Sequence, residues 1–350
     1  MSPTARRPLV VGALVLFAAL VLQLAFAGSY VGALHEPRPH EVPITVVGPD
    51  ASAGQVAKQL NVLQGSPLKA TTERTFGAAR DRVEHRRSYA VLVPGNPDAG
   101  RARDRRSRLY VASAANRTMA TVLPALFERL VQEQGAQPVQ VKELAPLPAA
   151  DQGGLAAFYA VVSWMVGGYF GATLLGMVGS PLLRSRRVAL QRLGGMLAFG
   201  VLSGLLSALL LQQVIGVLGS APFLQLAGTG ALCVVAVGAS TIAFQSLLGI
   251  AGTGLAVLLF VVLGNPSSGG PYSPELLPGF WRAIGEWLPP GAGTTVLRDV
   301  TYFDGHATGS ALLVLAVWAV VGAAVAVLRG GRGVSDAQAE REAMAGVGAV

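Results

Sequence analysis

Between Leu193 and Pro274 the chain carries no Asp, Glu, Lys or Arg, a run of 82 residues. A charge at mid-bilayer costs on the order of 3 kcal/mol, whereas a soluble fold has no reason to exclude charge over such a length. The run therefore belongs in a membrane. Composition agrees, because only 13% of the residues are charged, against about 25% in soluble proteins.

A helix crossing the hydrocarbon core needs about 20 apolar residues. Six segments are candidates: 8–28, 155–178, 193–218, 223–247, 249–264 and 309–328. The fifth is short and almost directly joined to the fourth, so the two form a tight helical hairpin or a re-entrant pair. The expected fold class is a polytopic α-helical membrane protein with six spans in a 1+5 arrangement. An extracytoplasmic α/β or α+β domain lies between the first and second spans. Residues 1–28 are then an N-terminal anchor and 29–152 the polar domain. Residues 153–328 form a five-span membrane domain with an outer segment at 265–308, and 329–350 a cytoplasmic tail.

Sidedness follows from basic residues in short flanks. Arg6 and Arg7 precede the first span; Arg184, Arg186, Arg187 and Arg192 fill the link after the second; Arg329 and Arg332 follow the sixth. With six passes all three places share one side, which puts both termini in the cytoplasm of a cell-membrane protein. Ala25-Phe26-Ala27 also fits a signal-peptidase site, so cleavage after Ala27 stands as the alternative to a retained anchor.

The polar domain alternates strand and helix patterns, the mark of a compact α/β or α+β unit. Ile44–Val47, preceded by Pro43, Tyr89–Val93, Arg108–Ala112 and Val139–Leu144 read as strands. Ala53–Leu63, Thr72–Val83 and Ala114–Gln134 have helical periodicity. His35 to His40 (His-Glu-Pro-Arg-Pro-His) is a stiff extended linker whose two histidines, beside Glu36 and Glu41, are alternatively metal ligands. The run Arg101–Arg108 is a solvated loop or a contact for anionic headgroups. Asn116-Arg117-Thr118 fits a glycosylation acceptor but falls at a helix start, so it is set aside.

Net charge is +8, but no aromatic residues interleave with the arginines as a nucleic-acid site requires. Enzymatic chemistry in the bilayer is not expected either. No His lies in a candidate span, and Ser163, Ser203, Ser207, Ser240 and Ser246 lack a base to activate them. Cys233, the single cysteine, precludes an intramolecular disulfide. No cofactor site and no metal site is expected in the spans. Gln212, Gln213, Gln225 and Gln245 either bond between helices or line a polar path. Gly167-x3-Gly171 and Gly200-x3-Gly204 allow close helix approach.

The 265–308 segment is distinctive. Asn265-Pro266 opens it, and Pro274 to Pro278 follows. Gly279–Leu288 then places Phe280, Trp281, Ile284, Trp287 and Leu288 on one helical side, and Pro289-Pro290-Gly291 is read as its stop. Trp at this position prefers the headgroup level, so the segment is expected along the outer membrane surface or dipping into it. Together with the stretches Val42–Gly48 and Tyr89–Asn96, this layout resembles the type-2 ABC transporter permeases, in the branch similar to the phage infection protein of Gram-positive bacteria.

The resemblance implies export of a hydrophobic or amphipathic substrate, a separate ATPase partner, and a homodimer in membrane lipid. The chain holds no G-x-x-x-x-G-K-[ST] phosphate loop, and the run beginning at Pro8 leaves no room for the cytoplasmic amphipathic helix such permeases carry. The link Ser180–Arg192 is then the candidate coupling element. The alternative is a non-transport envelope scaffold or receptor that displays its outer domain.

Overall fold

The computed structural model describes residues 3–95, 106–134, 138–179, 183 and 185–347. Helix α1 (Pro3–Leu34) runs unbroken through Ala27 into the linker. A five-stranded sheet follows: β1 (Val42–Val47), β2 (Leu68–Glu73), β3 (Ala90–Val93), β4 (Arg108–Val111) and β5 (Gln140–Glu143). Its order is β2-β1-β3-β4-β5, with the β3–β4 pair antiparallel and the other pairs parallel. Helices α2 (Asp50–Asn61), α3 (Phe76–Glu84) and α4 (Arg117–Gln134) make the crossovers.

Alternation along the strands divides the sheet into two faces. Val42, Ile44 and Val46 join Leu92 and Leu109 in one core, covered by Ala53, Ala57 and Leu60 of α2 and Met119, Leu123 and Phe127 of α4. Val91 points the other way, toward Ala79 and Val83 of α3. Pro43 is the second residue of β1, an interior strand, a place proline usually avoids. It is tolerated because its carbonyl accepts the Tyr89 amide, while its missing N–H falls where β3 has not yet begun. The expected helix Thr72–Val83 is corrected: Thr72 and Glu73 close strand β2, and the helix starts at Phe76, capped by Thr75 accepting from the Ala78 amide. Strand β2 went unread because only Leu68 and Ala70 are apolar, on one face of an edge strand.

The remainder is helical: α5 (Ala156–Gly179), α6 (Arg186–Leu209), α7 (Phe223–Leu248), α8 (Ala251–Val257), α9 (Gly279–Gly285), α10 (Pro289–Tyr302) and α11 (Gly309–Val347). Leu210–Ile215 and Leu258–Leu263 continue α6 and α8 as π-helix. Among the described residues five helices are long and apolar enough to cross a membrane, by length and composition: Gly12–Leu34, Ala156–Val178, Arg186–Ile215, Phe223–Leu248 and Gly309–Gly331. The six expected spans thus become five long helices and a short one. The candidate 249–264 is the short helix Ala251–Leu263, which rises about 20 Å where the core is about 30 Å thick. Gly249, at φ +61°, ends α7 and turns the chain directly into it.

Helix α7 is the axis of the bundle, 67% buried where the other long helices are 6–33% buried. Its neighbours reach it through glycines. A Cβ at Gly204 of α6 would strike the Ala227 carbonyl, and one at Gly322 of α11 would sit 2.6 Å from the Ser240 amide nitrogen. Gly200-x3-Gly204 therefore packs within the chain, whereas Gly167 and Gly171 border an apolar groove of about 460 Å³ between α5 and α6. Gln245 donates to Thr253 at 3.0 Å and Thr173 at 3.4 Å, a bond between helices. Gln212 bonds the Leu218 and Ala221 carbonyls beyond the end of its helix.

Helices α5, α7 and α11 start at the sheet end of the bundle, and α1 and α6 finish there. The start of α1 and the end of the membrane part of α11 consequently share the far end, where Gly330 packs on Ser185.

Gly204→Val should lower the thermal unfolding midpoint in detergent, because overpacking costs about 1–3 kcal/mol. Gly194→Val is the control, since nothing lies within 4 Å of a Cβ there. Equal midpoints for the two would refute the close α6–α7 contact.

Candidate functional site

After the short α8 the chain does not leave the bundle. Residues 264–270 are buried without regular helix, and irregular backbone shut away from water survives only where the protein supplies its hydrogen bonds. Serines supply several. Ser267 Oγ donates to the Leu263 carbonyl at 2.7 Å, Ser268 Oγ donates to that of Asn265 at 2.7 Å, and the Gly270 amide donates to Ser268 Oγ at 3.3 Å.

Arg298 of α10 supplies the rest. Its side chain is 3% exposed, and it donates to the carbonyls of Gly269 at 2.9 Å, Gly270 at 3.2 Å and Gly154 at 3.4 Å. One guanidinium thus ties α10, the irregular segment and the entrance to α5. Burial, with the Arg86 charge adding to it, pulls the Arg298 pKa down to about 10, so it stays charged at neutral pH. Nearby, Asp151 accepts the Leu155 and Ala156 amides at the start of α5 and the Tyr302 hydroxyl at 2.7 Å. Asp299 is fully buried; one carboxylate oxygen accepts the Ala307 amide at 2.6 Å and the other has no hydrogen-bond partner. Burial raises the pKa of this carboxyl.

The same segment is built into the sheet domain. The Arg38 and His40 amides donate to the Leu276 and Glu275 carbonyls, and Thr118 Oγ1 donates to that of Pro271 at 2.9 Å. Arg86 donates to the Thr295 carbonyl at 3.2 Å. Leu276 enters the α2/α4 core of the sheet, and Phe303 enters the α3 core. Both faces of the sheet therefore hold a side chain from the bundle. A cavity of about 90 Å³ remains at the junction, lined by Arg86, Tyr89, Ser273, Glu286 and Arg298 among others.

The expected site residues fall in two places. Asn265 and Pro266 are buried in the irregular segment, and Pro278 precedes α9. Trp281 donates its Nε1 proton to Ser29 Oγ at 3.1 Å, and its ring lies against Gly32 of α1. Trp287 is 64% exposed, with its carbonyl accepting from Trp318 Nε1 at 2.8 Å. The expected helix Gly279–Leu288 is shorter: α9 stops at Gly285, Phe280 and Trp287 are exposed, and Leu288 is buried. Pro289 and Pro290 do not act as a stop. They begin α10 at its first positions, where the absent N–H would have no acceptor anyway.

Arg184 lies outside the described residues, as do Arg101, Arg103, Asp104 and Arg105 of the arginine run. Arg186 and Arg187 form the first turn of α6, which Ser185 caps by accepting the Val188 amide, and Arg192 is buried on the same helix. The link is thus shorter than 180–192, because the Ser185 cap starts the helix within it. Arg298, Asp151 and Asp299 were not among the expected site residues. The signal for Arg298 and Asp299 is an Arg-Asp pair within an otherwise apolar stretch; Asp151 carries no such signal.

These features define a class: a chain with the helix lengths and composition of a multi-pass membrane protein, carrying a mixed α/β sheet domain docked on a broken helical segment. Comparison with protein-family models, curated proteins and solved structures finds no match.

Arg298→Gln should destabilise the fold by about 2–3 kcal/mol, since three carbonyls lose a charged donor. Arg129→Gln, on an exposed side chain, should leave the midpoint unchanged. Equal denaturant midpoints for both variants would refute the clamp.

Proposed function

We propose that this chain is the membrane subunit of an exporter related to the type-2 ABC permeases, in the phage-infection-protein-like branch, and that it moves a hydrophobic or amphipathic substrate with a separate ATPase. One observation carries this reading: the fifth apolar segment is a short helix that gives way to residues 264–270, buried without regular helix. An anchor needs one continuous helix, and interrupted helices at membrane depth belong to proteins whose spans rearrange around a path. The two π-helical stretches, at Leu210–Ile215 and Leu258–Leu263, support it as well, since π-helix is rare and is found mostly at functional positions.

In this proposal the cell membrane holds the bundle, the sheet domain lies outside and both termini lie in the cytoplasm. The arginines at the far end, Arg186, Arg187 and Arg329, support that sidedness. The ATPase meets the link and first turn at Arg184, Arg186 and Arg187; Arg192, being buried, supports the helix instead. The substrate path carries no charge over residues 193–274, which suits an apolar cargo better than an ion. A homodimer completes the transporter.

Sidedness is testable because the chain's own cysteine, Cys233, is buried. A cysteine at Gln64 should react with a membrane-impermeant maleimide in intact cells, and one at Ser335 only after lysis. The reverse pattern would overturn the orientation. Coupling is tested by purification from native membranes in mild detergent. The wild-type chain should bring down an ATP-hydrolysing polypeptide, and the triple change R184E/R186E/R187E, with its topology verified by the same labelling, should lose at least nine-tenths of that activity. A wild-type chain that purifies without any ATPase would favour the scaffold or receptor function instead.

A further inference from the structure

His85 and His306 come from opposite sides of the junction, the first closing α3 of the sheet domain and the second in the loop between α10 and α11. Their rings stand 4.9 Å apart, centroid to centroid, with planes inclined at 43°. Each Nδ1 lies 2.7 Å from a main-chain carbonyl, that of Asp81 for His85 and that of Phe303 for His306. A carbonyl only accepts, so each ring carries its proton on Nδ1 and leaves the Nε2 lone pair uncommitted. That pattern fixes the tautomer of an imidazole ready to ligate through Nε2.

We propose that His85 and His306 form a two-histidine clamp for a borderline divalent transition metal ion, Zn²⁺ being the representative. Imidazole nitrogen suits Zn²⁺, Ni²⁺ and Cu²⁺ and does not suit Mg²⁺. Two rings bound to one ion at Zn–N distances of about 2.1 Å place their centroids about 5 Å apart in tetrahedral geometry, the separation found here. Among the described residues no group of three or more His, Cys, Asp or Glu side chains is arranged to hold a metal, so water completes the coordination.

The surroundings supply compensating charge. Asp299 lies close enough for its carboxyl to respond to both imidazoles, and one of its oxygens is buried without a hydrogen-bond partner. The adjoining cavity of about 210 Å³ is lined by His306 and Asp304, and by Glu84, which pairs with Arg80 at 2.7 Å. His306 is exposed, so an ion reaches the pair from solvent. A bound ion would staple the sheet domain to the loop that enters the last long helix.

The experiment uses the full-length chain, purified in detergent with a tag free of histidine and titrated with Zn²⁺ by calorimetry, with Mg²⁺ as control. The expected result is one Zn²⁺ bound at micromolar concentration, a raised thermal midpoint, and no response to Mg²⁺. His85→Ala and His306→Ala should each weaken binding at least tenfold, and H35A/H40A, which changes the only other histidines, should leave it intact. Metal-free midpoints of the variants report whether each still folds. Should a variant unfold, the Co²⁺ visible spectrum of the wild-type chain decides, since two nitrogen ligands give a spectrum distinct from all-oxygen coordination. No binding by the wild type, equal binding by the folded variants, loss only in H35A/H40A, or an all-oxygen Co²⁺ spectrum would each overturn the clamp.

Discussion

A main-chain carbonyl that leaves a helix at membrane depth has no water to bond, and an unsatisfied one costs several kcal/mol. A like constraint falls on residues 264–270, which run on buried at the sheet end of the bundle after α8 ends short. Local serines cover part of the demand. The carbonyls of Gly269 and Gly270 turn instead to Arg298, which arrives from α10. Much of the remaining architecture answers to that arrangement. Helix α10 must be buried to present the guanidinium, Pro289 and Pro290 must start it without leaving donors unpaired, and Gly291 must lie flush against the Gly285 carbonyl.

A charge held this way constrains its neighbours too. The third acceptor, Gly154, sits at the entrance to α5, so the guanidinium also sets where that helix begins, with Asp151 capping the same turn. Tyr302, one turn beyond Arg298, bonds Asp151 in return. The result is a closed ring of polar contacts between segments nearly 150 residues apart. Both cores of the sheet lean on this ring through Leu276 and Phe303. Sheet and bundle are therefore joined by shared hydrophobic cores as well as by a linker.

Much of this was legible in the residues. Charge exclusion located the long helices, and β-branched runs located four of the five strands, because each of those signals is local and repeats at a fixed period. Strand β2 escaped because an edge strand with one apolar face carries half the usual signal. The Pro289-Pro290 pair was ambiguous for a physical reason: the missing N–H ends one helix and suits the first turn of another equally well. Arg298 was invisible as a clamp because its partners are glycine carbonyls. A backbone acceptor leaves no trace in residue identity, so no spacing of side chains could announce it. The fifth apolar run is short in the sequence itself, but its course depends on the turn at Gly249 and on what buries its far end.

Helix α1 stands apart from this network. Its described side chains are exposed almost throughout from Val10 to Gly28, and it is buried only at Ser29 and Ala33, near where Trp281 and the Val261 carbonyl meet it. A rod held at one end is a lever. From Ser29 back to Val10 is about 28 Å at 1.5 Å per residue, so a tilt of roughly 10° at the attachment sweeps the free end through about 5 Å. Such a swing breaks none of the hydrogen bonds that hold the helix. The gap between α1 and the short α8 can thus widen or close at the far end while the sheet end stays still.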